Sequence, residues 1–283
     1  MDGSGRVDSF SCVKPPIKAC WRVVYLFAGA EREADLGDAL LNAITALNAN
    51  TRSAISLDMS NLDILRGGDS HDLLSAARQA EILEEIKSGR YDLVLAAPPC
   101  STFSRALFSD LSFPFPLRDF KHPRGFPHLA GSDLVNIQET NTLIDFKIEA
   151  LRAASAAGAL GWLEFPEDLG ECRHGVPSSI WSWEKVLDLA SLGYLRGAIY
   201  QCEWAPMDYR KPTGLLCNFS CLMRDPHISP GWPKFSSHEP DGKGKKYCGP
   251  LPNACMHGKH SYRLIGKGDD RCFKTSKTAA LPS

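Results

Sequence analysis

A chain of 283 residues with 43% apolar and 23% charged side chains has the composition of an ordinary globular protein, one large domain or two modest ones. No run of eighteen apolar residues is present, which excludes a hydropathic transmembrane helix, and the first twenty residues lack the apolar segment of a secretory signal. The net charge of −1 gives by itself no sign of a nucleic-acid partner.

The distribution of charge says more. Residues 201–283 hold 13 Lys and Arg against 7 Asp and Glu, whereas residues 1–200 hold 19 against 26. A basic final third beside an acidic body suits a protein that presents one face to a phosphate backbone, although a solvated lysine-rich tail explains charge alone equally well. Ten scattered cysteines in a chain of this size read as reduced thiols of an intracellular protein, nuclear or cytoplasmic.

Residues 1–20 read as a disordered lead. Val23-Val24-Tyr25-Leu26-Phe27 is a buried strand ending at Ala28-Gly29-Ala30, and Glu31 to Asn48 carries a helical stripe through Leu40, Ile44 and Leu47. Ser53 to Leu57 reads as a second strand ending in Asp58. Asp72 to Lys87 is a helix closed by Ser88-Gly89. Tyr91 to Ala96 is a third strand and runs directly into Pro98-Pro99-Cys100-Ser101-Thr102-Phe103-Ser104-Arg105. A Pro- and aromatic-rich stretch follows to about Gly131, long enough to suggest a functional loop. Asp133 to Ala157 is helical, Gly161 to Glu164 is a strand ending at Phe165-Pro166, and Ser179 to Leu192 is a further helix. Gly197 to Glu203 and Leu215 to Leu222 read as two more strands, antiparallel if paired. The sequence predicts an α/β fold with a doubly wound sheet over about residues 21–200. Residues 201–283 are predicted to complete the sheet and to add a small, irregular basic subdomain.

Four segments fall at the carboxyl ends of predicted strands, where an open α/β sheet binds its ligands. Gly29 lets the backbone approach a ligand without a Cβ, and the helix after it offers free N–H donors. Asp58 is placed to accept hydrogen bonds from ribose hydroxyls. Cys100 follows two prolines that stiffen its loop, and a nearby cation such as Arg105 could favour the thiolate of a nucleophile. Glu164, beside Phe165 and Pro166, is partly desolvated and so inclined to keep its proton. Taken singly, Cys100 has an ordinary core-residue explanation, and Asp58 and Glu164 read as capping or surface acids.

Together, the Phe-x-Gly turn at Phe27–Gly29, the acid Asp58, the Pro-Pro-Cys-x-x-Phe-Ser string and Glu164-Phe165-Pro166 resemble the DNA cytosine-C5 methyltransferases, over about residues 23–220. The resemblance implies a Rossmann-like methyltransferase sheet and S-adenosylmethionine as cofactor. Phe27, Ala28, Gly29, Asp58, Asp72 and Pro98 would hold that cofactor, the Pro98 carbonyl also touching the exocyclic amine of the target base. It further implies that Cys100 adds to C6 of an extruded cytosine and Glu164 contacts N3, with Pro99, Ser104, Arg105, Gln201, Arg210 and Lys211 on the substrate side. Pro98 to Arg105, His122-Pro123-Arg124-Gly125-Phe126-Pro127 and Arg210-Lys211-Pro212-Thr213 are similar to a divergent subgroup associated with mobile elements.

The chain departs from that family in three ways. Ala30 and Glu31 stand where the cofactor turn commonly has a glycine pair. The Gln-x-Arg-x-Arg strand is reduced to Gln201-Cys202-Glu203, with Arg210 or Lys211 as substitutes for its arginine. The target-reading region shrinks to about sixty residues. DNA is the expected substrate, with RNA as an alternative. A catalytically degenerate nucleic-acid-binding domain and a small-molecule methyltransferase remain open readings. No membrane partner is expected. Two groups, Cys217, Cys221, His227 and His238, and Cys248, Cys255, His257 and His260, lack paired Cys-x-x-Cys spacing, so no metal site is expected.

Overall fold

The computed structural model describes residues 19–31, 35–51, 53–109, 114–204, 207–220, 224–236, 239–240, 242–262 and 264. Most of the predicted lead and the last nineteen residues therefore lie outside the described residues, as do Cys221 and His238.

Strand β1 (Cys20–Leu26) is apolar on both faces, and the sheet is covered on both. Val24 and Leu26 pack with Ile82, Ile86, Phe146, Ala150 and Ala154, while Val23 and Tyr25 face a second cluster with Leu36, Leu40 and Met59 at its edge. The first set comes from helices α3 (Ala76–Lys87) and α4 (Gly131–Ala156). Leu36 and Leu40 come from α1 (Leu36–Thr51). Two-sided burial explains why β1 and β3 (Leu93–Ala96) read as continuous apolar runs rather than as alternating ones.

The remaining elements are β2 (Ser56–Leu62), α2 (Ile64–Gly67), β4 (Leu160–Pro166), α5 (Glu184–Leu187), β5 (Leu195–Tyr200), β6 (Pro212–Cys217), β7 (Ser229–Pro230), β8 (Lys234–Phe235) and β9 (Tyr247–Gly249). Seven strands form one sheet in the order β2-β1-β3-β4-β6-β5-β7, and β8 pairs with β9 in a separate ribbon. The pairs β2/β1, β1/β3 and β3/β4 are parallel, whereas β4/β6, β6/β5 and β5/β7 are antiparallel. The protein is thus a mixed α/β fold. From β1 the chain moves to β2 on one side and then crosses to β3 on the other. The strand order reverses between β1 and β3, and the crevice beyond their carboxyl ends is where such sheets take ligands.

Two predicted elements differ most from those observed, and the strands predicted over Gly197–Glu203 and Leu215–Leu222 are found at Leu195–Tyr200 and Pro212–Cys217. β2 begins at Ser56 rather than Ser53 and runs to Leu62. Its register against β1 pairs Ser56 with Cys20 and Leu62 with Leu26, so backbone pairing carries the strand through Asp58, Ser60 and Asn61, which propensity alone would not extend. The helix expected over Ser179–Leu192 is broken into a 3₁₀ turn at Ile180–Ser182, the single turn α5 and a second 3₁₀ stretch at Asp188–Leu192. Trp181, Trp183, Val186 and Leu189 all turn inward there, and that packing overrides a regular helical period. No helix among the described residues is long and apolar enough to cross a membrane.

Candidate functional site

The turn after β1 is conformationally unusual. Phe27 has φ 64° and Gly29 φ 72°, a left-handed backbone that a non-glycine residue such as Phe27 adopts only at a cost. Phe27 and Ala28 both donate their N–H to the Leu62 carbonyl, at 2.9 and 3.4 Å, which ties the turn to the end of β2. Open space lies where a Cβ on Gly29 would project.

The polar groups of this turn are already engaged. Gly29 N–H donates to Asp63 Oδ2 at 2.9 Å, and Arg66 Nε donates to the Gly29 carbonyl at 2.8 Å. Arg66 also pairs with Asp35 at 2.6 Å, and Asp35 Oδ1 accepts from the N–H groups of Gly37 and Asp38 at the start of α1. The helix N-terminus expected to offer free donors is therefore capped by its own acid. Beside this network lies a cleft of about 280 Å³ lined by Glu31, Asp35, Asp38, Leu57, Met59, Asn61 and Arg66. Asn61 Oδ1 is buried there without a hydrogen-bond partner.

Asp58 is not at the rim. The strand extension places it opposite Arg22, four residues before the end of β2, with its side chain exposed. The acid at the strand end is Asp63, which caps α2 through Leu65 N–H at 3.0 Å and holds Gly29. Asp72 accepts from Leu74 N–H at 2.9 Å in a local turn before α3.

The Pro98-Pro99-Cys100 segment leaves the carboxyl end of β3 and folds at once into a 3₁₀ turn at Ser101–Phe103. Pro98 is buried, Pro99 is exposed and Cys100 is half-buried. Phe103 turns inward and meets Phe165 edge to face, with ring centroids 5.1 Å apart. That contact joins the cysteine loop to β4, whose Glu164 is buried.

Around Glu164 a polar cluster is built from four elements. Gln201, at the end of β5, is 1% exposed and donates its side-chain N–H to Glu164 Oε1 at 3.3 Å. Lys211, just before β6, places Nζ 3.9 Å from the same oxygen, and Gln201 N–H donates to the Lys211 carbonyl at 3.0 Å. Lys147 enters from α4, fully buried, with Nζ over the Phe165 ring at 5.0 Å and no hydrogen-bond partner of its own.

Burial sets the protonation of this cluster. It raises Glu164 above the usual carboxylate range, opposed by the charges of Lys211 and Lys147. It pushes the Cys100 thiol up to about 11, with Glu164 adding to the rise and Lys211 and Lys147 opposing it. It brings Lys147 down to about 7. The resting site holds a neutral thiol and a carboxyl biased toward its acid form. An amine beside them can gain or lose a proton near neutral pH.

No family model matches this sequence. No curated protein matches it either.

Three of the cations and hydroxyls assigned to the substrate side do other work. Arg105 donates to the backbone carbonyls of Gly170 and Glu171, and its charge is not among those that shape Cys100. Arg210 lies over the Tyr200 ring at 5.0 Å and donates to the Asn253 carbonyl at 3.1 Å, away from Glu164. Ser104 caps its own 3₁₀ turn through Ala106 N–H at 3.3 Å. Of the six residues expected there, Gln201 and Lys211 are the two that touch Glu164.

Two buried cations against Phe103 and Phe165 were not anticipated. Arg118 is fully buried in the long loop before α4, stacked on Phe103 at 4.0 Å, with Nε and Nη2 unpartnered; burial lowers it to about 9. Lys147 lies three residues after Ile144 and four before Leu151, on the inward stripe of α4. That spacing was readable as an inward lysine.

Proposed function

We propose that this chain transfers a methyl group from S-adenosylmethionine to C5 of cytosine in DNA through a covalent Cys100–C6 adduct, as a divergent member of the cytosine-C5 methyltransferases on a Rossmann-like sheet. The observation that carries the reading is the meeting of Cys100 and Glu164 in one desolvated cluster at the carboxyl ends of neighbouring parallel strands, next to the strand-order reversal. A core cysteine and a surface acid would have no reason to share a buried site with two lysines.

The geometry supports a division of labour. Glu164, kept protonated by burial, donates to N3 of the ring and drains charge from C6. Cys100 loses its thiol proton and its sulfur bonds to C6, which makes C5 nucleophilic. The cofactor supplies the electrophilic methyl group that C5 takes. A base, such as a solvent hydroxide, then takes the C5 proton. The electrons of that bond restore the aromatic ring as the sulfur–C6 bond breaks, and the thiolate leaves to recover the proton it gave up to solvent. Lys147 and Lys211 stabilise the thiolate, and the Phe103–Phe165 contact keeps the sulfur in register with Glu164. A duplex hides C6 in its stack, so the target base must be extruded.

The residues around the cleft fit the cofactor. S-adenosylmethionine carries a sulfonium and an ammonium, and Glu31 and Asp38 line the cleft beside the Asp35–Arg66 ion pair. The unpartnered Asn61 Oδ1 offers the ribose an acceptor at the position along β2 where Asp58 was expected. Phe27 to Gly29 would form the wall of that site.

A second reading, a nucleic-acid-binding domain without turnover, is favoured by one specific observation: both backbone groups of Gly29 are already bonded, to Asp63 and Arg66. Calorimetric titration with S-adenosylmethionine separates the two. Binding, followed by methyl transfer to duplex DNA and a covalent trap on 5-fluorocytosine DNA that disappears in Cys100→Ser, is the result expected. Absence of binding would leave the second reading; transfer to RNA alone would move the substrate and keep the chemistry.

A further inference from the structure

Cys202 and Glu203 follow β5 in a 3₁₀ turn and are separated by more than fifty residues from Cys255 and His257. The fold brings the four together: one ligand atom from each lies within 4.8 Å of the others. Neither sulfur is spent in a disulfide. Cys202 is 1% and Cys255 6% exposed, so the two sulfurs are shielded while His257 reaches out to solvent.

Further polar atoms stand close to Glu203 and Cys255. Glu203 Oε1 accepts Met256 N–H at 2.6 Å, but Oε2 is buried without a hydrogen bond. The Nδ1 atoms of His257 and His227 face it at 3.6 and 3.7 Å, and His227 Nδ1 is likewise buried and unpartnered. His260 places Nε2 3.0 Å from Cys255 Sγ, while its Nδ1 lies 3.1 Å from the Met207 carbonyl.

We propose that Cys202, Glu203, Cys255 and His257 bind a structural zinc ion. Two thiolates, an imidazole and a carboxylate are a donor set that zinc takes in tetrahedral array. With Zn–S about 2.3 Å and Zn–N and Zn–O about 2.0–2.2 Å, tetrahedral ligand atoms stand roughly 3.3–3.8 Å apart. From separations of up to 4.8 Å, the ligand atoms would have to close by about 1 Å or more to reach that range. Zinc would also give Glu203 Oε2, buried without a hydrogen bond, a partner beneath an apolar shell of Ala198, Tyr200 and Leu251.

The ion would have a mechanical effect. Cys202 directly follows Gln201, whose side chain holds Glu164. A clamp from Cys202 and Glu203 to residues 255–257 would fix the end of β5 against the C-terminal segment and with it the position of Gln201. This follows from the fold and does not depend on the methyltransferase reading.

The test uses the full chain, made without a polyhistidine tag in zinc-supplemented medium and purified without chelator. Elemental analysis should give close to one zinc per chain, and Cys202→Ser/Cys255→Ser should lose it. Because the double variant could misfold, two further measurements stand on their own. Cobalt exchanged into the wild-type chain should show thiolate charge-transfer absorption and tetrahedral d–d bands. His257→Ala, at a half-exposed position, should weaken zinc binding at least as much as loss of an outer partner does, roughly 10–100-fold. Wild-type protein without stoichiometric zinc, iron or copper in its place, a cobalt spectrum lacking the thiolate band, or a Cys202–Cys255 disulfide in the purified chain would each overturn the proposal.

Discussion

The rings of Phe103 and Phe165 meet edge to face, 5.1 Å between centroids, and this contact joins the loop that carries Cys100 to the strand that carries Glu164. Phe103 is 4% and Phe165 1% exposed, and Arg118 stacks over the Phe103 ring at 4.0 Å. Phe103→Ala should therefore cost about 3–5 kcal/mol of stability, read from urea unfolding, since it leaves a cavity under a buried guanidinium. Phe103→Leu keeps most of the volume and should cost much less. If the contact positions the sulfur, Phe103→Leu will lower the rate of methyl transfer more than it lowers cofactor affinity.

Lys147 gives a pH signature. Its folded value near 7 lies below the ordinary 10.5, so between those values the unfolded chain holds the extra proton. Stability contributed by this group is least below pH 7 and grows as pH rises toward 10.5, with a slope of at most about 1.4 kcal/mol per pH unit. Lys147→Met should raise the melting temperature at pH 7 and flatten the difference between the two proteins above pH 10. A Lys147→Met chain that melts lower at pH 7 would mean that the amine is paired in solution.

Much of this fold is legible in the sequence, and the rest has particular causes. The strands of Val23–Leu26 and Leu93–Ala96 announce themselves because both faces are buried and every position is apolar. The cysteine loop and Glu164 are found by motif, since both sit where strands end. Asp58 is misplaced because an edge strand of polar residues is extended by pairing with β1, which no local propensity reports. Arg105 is misassigned because only the tertiary contact with residues 170 and 171 shows that its donors are spent. The Cys202–Cys255 pairing is invisible for the same reason: its two halves are brought together by β5 and the C-terminal segment, not by spacing.

Arg196 and Glu167 form an ion pair whose side chains are fully buried. Burial raises Glu167 and lowers Arg196, so each charge depends on the other. Arg196 Nη1 also donates to the Gly231 carbonyl at 2.7 Å, and Tyr247 donates to Glu167 Oε1 at 2.9 Å. Arg196→Met leaves a buried carboxylate and should cost about 3–5 kcal/mol in thermal or urea unfolding. Arg196→Met combined with Glu167→Leu should recover part of that loss, and a double variant no better than the single would show that the cost is steric.

Glu164 and Cys100 together make the sharpest chemical prediction. Burial raises Glu164, so any stability it contributes is present at low pH and is lost as pH rises through its folded value. Glu164→Gln should be at least as stable as the wild type at pH 8. In the proposed methyl transfer it should nevertheless lose about 10²-fold or more, the range for removing a positioned general acid. The Cys100 thiol, pushed up from 9.0 to about 11, holds on the order of 100-fold less thiolate at neutral pH than an unshifted one. Alkylation with iodoacetamide, followed by peptide mass spectrometry, should modify the exposed Cys20 and Cys248 first and reach Cys100 only as pH approaches 11. Lys211→Gln removes a charge that lowers the thiol and should delay Cys100 further. Rapid labelling of Cys100 at pH 7 would show that the resting sulfur is already ionised, and would remove burial as the control on its nucleophilicity.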